Sequence, residues 1–172
     1  MTSRNERIIR GYVWSATGLG VVLGPVVDAG PLVALWVAGF VHLASKAELK
    51  FNKEEAVSAV ATIIAALGAW FVSGKVADYI AAALATGVLT TAGFTFGVSL
   101  IIGAFLALSL NATINALFTY RFLSACAAVI EDHRASDGIF LKAFINLITD
   151  QLLSLAQIPS DLVKTAKIMF GF

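Results

Sequence analysis

An all-α integral membrane protein is the fold class this sequence predicts, and three observations predict it. Apolar residues make up 59 % of the chain and charged residues 13 %. Soluble domains carry roughly half and roughly a quarter. The mean hydropathy is +0.87. The charges also sit in short clusters between long uncharged runs. A soluble domain of 172 residues exposes too much of its surface to hide this much apolar side chain, so the excess calls for a lipid solvent. The length suits one unit, a single helical membrane domain over 1–172. A net charge of +1 is too weak to attract nucleic acid through bulk electrostatics. Cys126 is the only cysteine, which excludes an intrachain disulfide and a thiolate zinc cluster.

The first apolar segment, 11–45, follows a basic stretch from Met1 to Arg10. That order resembles a signal peptide, but the run exceeds an h-region of about 7–15 residues. It is expected to stay in the mature protein. Only Asp28 and His42 are ionisable within it. As one helix it would reach about 50 Å, too long for an upright span. Pro25 and Pro31 each remove a backbone donor, so Pro25, Asp28, Gly30 and Pro31 mark a break. A helical hairpin or a kinked span follows. The hairpin is preferred, because it keeps Arg4, Arg7, Arg10, Lys46, Lys50 and Lys53 on one side of the bilayer.

After the charged loop 46–55, the uncharged run 56–74 has the length of one transmembrane helix. Glu54 and Glu55 suit its positive N-terminal end. From Tyr79 to Tyr120 no residue is ionisable, about twice one span, so the run is one span continued by a flanking helix or two short limbs. The Gly-rich, β-branched stretch from Gly87 to Gly93 is the expected break. A second span is placed at 94–110.

The remainder, 111–172, is expected to form amphipathic or interfacial helices. Asn111 to Asp132 carries an apolar face of Ile114, Leu117, Phe118 and Phe122. Lys142, Asn146, Asp150 and Ser154 make a polar stripe at helical spacing. After Pro159, a short basic helix carries Lys164 and Lys167, which mark it as interfacial or as a helix docked on the bundle.

Few residues suggest chemistry. Asp28 is a lone carboxylate in an apolar segment, by default a functional candidate. The flanking prolines favour a hairpin tip near water where it caps a helix. A proton relay would need a second intramembrane acid, and none is present. His42, near the loop, is a poor metal-site signal by itself. Gly20 and Gly24, and again Gly93 and Gly97, have the small-xxx-small spacing that lets helices approach closely, within or between protomers. Asn111, Thr113, Asn115 and Arg121 are candidate polar or partner contacts. Tyr12, Trp14, Trp70 and Tyr79 near segment ends fit an aromatic belt. No phosphate loop, HExxH, GxSxG or paired-carboxylate motif occurs, so no catalytic residue, metal or cofactor is expected.

Pro25-Val-Val-Asp28 opening an apolar helix, a short charged loop, and a last apolar helix ending in Asn111-Ala-Thr113-Ile-Asn115 and Arg121 form a familiar order. Over about Gly18 to Asp132 it resembles the bacterial membrane domain of unknown function found C-terminal to some Era-like and dynamin-like GTPases and in stand-alone inner-membrane proteins. No GTPase domain accompanies it here, and the C-terminal helices are additional. The resemblance implies a membrane-embedded helical module working with a separate partner, a GTPase among the candidates. It supplies no catalytic residues.

The function expected is that of a non-enzymatic membrane scaffold, adaptor or membrane-shaping subunit. It would associate with itself or with a membrane protein complex. The bacterial inner membrane is the expected location, with the N-terminus and C-terminal helices cytoplasmic. The alternatives are an accessory subunit of a larger complex and, third, a small oligomeric channel using the broken first segment as a site. A channel predicts solute flux abolished by Asp28→Ala.

Overall fold

The computed structural model describes residues 2–27, 29–48, 58, 86–87, 90–91, 93, 95–133 and 158–170. The described residues form four helices: α1 (Ser3–Val27), α2 (Ala29–Lys46), α3 (Phe96–His133) and α4 (Ile158–Phe170). The expected span at 56–74, the polar stripe from Lys142 to Ser154, and Asp28 itself lie outside the described residues.

Both ends of the first segment carry their own signals. Thr2 caps α1: its hydroxyl accepts from the Asn5 N–H at 3.3 Å, while its carbonyl accepts from the Glu6 N–H at 3.1 Å. Pro25 falls in the last turn of α1, and Pro31 in the first turn of α2, where a missing N–H costs no helical bond. α2 closes with Glu48 in the left-handed region at φ 62°. The two helices lie antiparallel. At one end the Arg4 Nη2 donates to the Lys46 carbonyl at 3.1 Å, and two turns further Tyr12 meets His42 edge-on at 6.1 Å. The two helices thus pair antiparallel along their length.

α3 runs for 38 residues, about 57 Å at the helical rise. It differs from the sequence expectation at one point. A plain span at 94–110 followed by a separate amphipathic helix from Asn111 is not what forms; α3 passes through both without interruption. Asn111 costs a helix only a few tenths of a kcal/mol more than an average residue. Nothing at that point breaks the backbone ladder, because the Ser109 and Thr113 hydroxyls turn back onto the Phe105 and Ser109 carbonyls at 2.8 Å each. From Asn115 to Ala127 nearly every residue is buried, so this half of α3 is the centre of the bundle.

The core follows from helical spacing. Ile9, Val13 and Ala16 of α1 and Leu32, Trp36, Phe40 and Leu43 of α2 meet Phe122, Leu123, Cys126 and Ile130 of α3. Trp36 stacks on Phe122 with centroids 5.0 Å apart and planes 16° apart. Gly39 lets Leu123 in, since a Cβ there would lie 2.7 Å from a Leu123 methyl. α1 and α3 are antiparallel. Glu131 of α3 accepts from Asn5 Nδ2 at 2.9 Å and from the Thr2 N–H at 3.3 Å. The carboxylate thereby sits at the positive end of α1.

Candidate functional site

Polar groups on α3 point inward and bind the backbone of α1. Asn111 Nδ2 donates to the Gly20 carbonyl at 2.9 Å, and Asn115 Nδ2 to the Ala16 carbonyl at 3.5 Å. On the same helix Thr119 accepts from Trp36 Nε1 at 2.8 Å. All of these side chains are buried. Gly20 is where the two backbones close: a Cβ there would fall 2.6 Å from the Ala112 Cα. These contacts set the register of α1 on α3. They place no reactive atom beside another.

The second feature is α4. Asp161, in its first turn, pairs with Arg121 of α3, Oδ2 to Nε at 3.1 Å, with side chains 11 % and 3 % exposed. Lys164 Nζ lies 3.5 Å from the other carboxylate oxygen. At the far end of α4, Phe170 meets Trp14 of α1 edge-on at 5.8 Å. Gly20 against Ala112 sets the level of Trp14 near Phe118, so Trp14 and Arg121 differ by about 5 Å along the bundle, while α4 advances about 14 Å between its own contact points. α4 therefore crosses α1 and α3 obliquely, as a strap. Beneath it lies a groove of about 310 Å³ lined by Thr17 of α1, Ala112, Thr113 and Ala116 of α3, and the Leu162, Thr165, Ala166, Met169 and Phe170 face of α4.

The remaining expected site residues are distributed as follows. Of the first glycine pair, Gly20 packs tightly, and Gly24 lies in α1. The second pair makes no such contact within the chain. Gly93, at φ +94°, is a turn residue whose N–H donates to the Thr90 carbonyl at 3.1 Å, and a Cβ at Gly93 or Gly97 would meet nothing within 4 Å. A turn ahead of α3 needs the left-handed conformation that glycine adopts freely, and this explains Gly93 without a helix contact. Gly30 and Pro31 are exposed at the start of α2. Thr113 is exposed, Asn111, Asn115 and Arg121 are buried, and Lys164 and Lys167 are exposed. Sequence reasoning missed Asp161, Thr119 and Glu131. A signal existed for the first: Arg121 is the first charge after a long neutral run, and a buried cation requires an acid. Which acid depends on how the chain returns.

Among the described residues, no group of three or more His, Cys, Asp or Glu is placed to hold a metal ion. Cys126 is buried in the core. Among the described residues the fold is all-helical, and one helix, Gly97–Glu131, is long and apolar enough to cross a membrane. No family model matches the chain, and neither a curated protein nor a solved structure matches it.

Proposed function

We propose that this protein is a non-enzymatic membrane scaffold or adaptor, with α3 crossing the bilayer, the α1/α2 hairpin embedded beside it, and α4 at the interface. The observation that carries the reading is the separation of exposed charge from exposed apolar surface. In α1, exposed charges end at Arg10; beyond it Gly11, Trp14, Gly18, Val21 and Val22 face outward. In α2 the outward residues are Gly30, Pro31, Ala34, Ala38 and Val41, with Ser45 and Lys46 at its end. In α3, Val98, Leu100, Ile101, Phe105, Leu106 and Leu110 are exposed, and only 28 % of its most apolar window is buried. A core helix of a soluble protein would be mostly covered.

From Gly97 to Phe118, the level of Trp14, α3 rises about 32 Å, close to the hydrocarbon thickness of about 30 Å. That slab puts Trp14, Lys164 and Lys167 at headgroup level and Arg4, Arg7, Arg10 and Lys46 beyond it. The positive-inside rule makes this the cytoplasmic side. The bacterial inner membrane follows from the resemblance alone. A wedge-like hairpin plus an interfacial helix supports membrane shaping or partner recruitment as the activity.

The test is removal of residues 160–172 from the full chain, read by vesicle shape in cryo-electron microscopy and by copurifying proteins, a GTPase among the candidates. Loss of vesicle deformation or of a partner is expected; unchanged vesicles and partners would sink the proposal. A second reading, an accessory subunit, is favoured by the same exposed Ile101 and Phe105, which would suit a protein neighbour as well as lipid. A stoichiometric membrane complex retained after native extraction distinguishes it.

A further inference from the structure

The groove beneath α4 has the chemistry of an acyl-chain site. Three of its wall residues are threonines, and each spends its hydroxyl on its own helix. Thr17 donates to the Val13 carbonyl at 2.8 Å, Thr113 to that of Ser109 at 2.8 Å, and Thr165 to that of Asp161 at 2.7 Å. Their hydroxyl protons are thereby spent within the helices. With Ala112, Ala166 and Met169 the walls are predominantly apolar. The volume of about 310 Å³ is at the small end of ligand pockets, suited to a narrow chain.

Position and charge select the molecule. Ala112, Thr113 and Thr17 lie on the apolar-end side of the Arg121–Asp161 pair, so the groove extends from the level of that pair toward the apolar half of α3. Leu162, Thr165, Ala166 and Met169 share the groove face of α4, and the helical repeat puts Lys164 and Lys167 on the outward face. A chain entering from the bilayer would hold its headgroup at the level of α4. Asp161 is already neutralised by Arg121, and among the described residues Lys167 has no carboxylate partner. We propose that this groove binds one acyl chain of an anionic phospholipid, whose headgroup is held by Lys167 with Lys164 beside it. The proposal rests on the membrane reading above.

The full chain, purified in detergent, is titrated with phosphatidylglycerol or phosphatidylcholine and the bound lipid counted by native mass spectrometry. One phosphatidylglycerol per chain is expected, in preference to phosphatidylcholine. Lys167→Gln should cut that preference about fivefold, the contribution of one basic residue near an anionic surface. Ala166→Phe, filling the groove from α4, and Thr113→Phe, filling it from α3, should each abolish retention with helical content unchanged. Equal retention of the two lipids, or retention that survives both groove-filling variants, would overturn the proposal. A dimer without lipid, the groove closed by a second copy, would overturn it too. Flotation on the same lipids separates the two claims. Protein that floats without a bound lipid removes the site alone; protein that fails to float removes the membrane reading with it.

Discussion

The side-chain amide of Asn111 donates to the carbonyl of Gly20 at 2.9 Å, at the level where α1 and α3 approach too closely to admit even a methyl group. Close backbone approach and a buried amide reinforce each other there. The absent side chain of Gly20 exposes a carbonyl, and the amide of the facing helix reaches it.

Gly20→Ala should therefore destabilise the protein. The added Cβ meets the Ala112 backbone at 2.6 Å, which cannot rotate away as a side chain would. Overpacking costs roughly 1–3 kcal/mol, against about 1 kcal/mol gained in helix propensity. Gly18→Ala, with nothing within 4 Å, keeps only the gain. Thermal unfolding in detergent should show the first variant lowered and the second raised or unchanged; equal shifts would contradict the packing.

Trp36 and Thr119 offer a double-mutant cycle. Trp36→Phe keeps an aromatic ring against Phe122 and loses the 2.8 Å bond to Thr119. A loss of about 0.5–1.5 kcal/mol is expected. Thr119→Val on its own strands the indole N–H, while the two changes together remove both partners. The double variant should be more stable than the sum of the single losses implies. Strict additivity would mean that the bond contributes nothing.

Asp161→Ala should loosen α4 from the bundle. It removes the carboxylate at 3.1 Å from the buried Arg121 Nε, and breaking a buried pair costs roughly 3–5 kcal/mol. Trypsin reports this directly, because Lys164 and Lys167 lie in α4. Cleavage after both should accelerate relative to the parent, and an unchanged digestion rate would show that the pair does not hold the strap.

Phe105→Arg tests the environment of α3. Phe105 is 69 % exposed near the middle of the proposed slab. In lipid a central arginine costs roughly 2.5–3.5 kcal/mol in insertion, so the membrane-integrated fraction should fall. In water the same change would be harmless and would raise solubility. Unaltered integration would argue against lipid at this face.

The helical class was legible in composition, and the break in the first segment was legible at its prolines. Pro25 and Pro31 restrict the backbone locally, so a turn between them needs no distant partner to be read. Gly93 shows the opposite case. Its spacing to Gly97 matched a packing motif, but spacing describes only one side of a contact, and within the chain nothing lies on the other side. The continuity of α3 through Asn111 was hidden for a related reason. A polar residue reads as an edge until the carbonyl that satisfies it is known, and Gly20 lies 91 positions away.

Hydropathy and backbone chemistry are local properties, and residue order alone carries them: the helical class, the break marked by Pro25 and Pro31, the lone charge at Arg121 and the lack of a recognisable catalytic motif. Which half of α3 becomes a buried hub and which stays bare was decided by packing. So was the choice of Asp161 as the counterion and the placing of α4 across two helices. Those outcomes depend on distances between segments far apart in the chain, and a pairwise contact has no signature in either partner's sequence until the fold brings the two together.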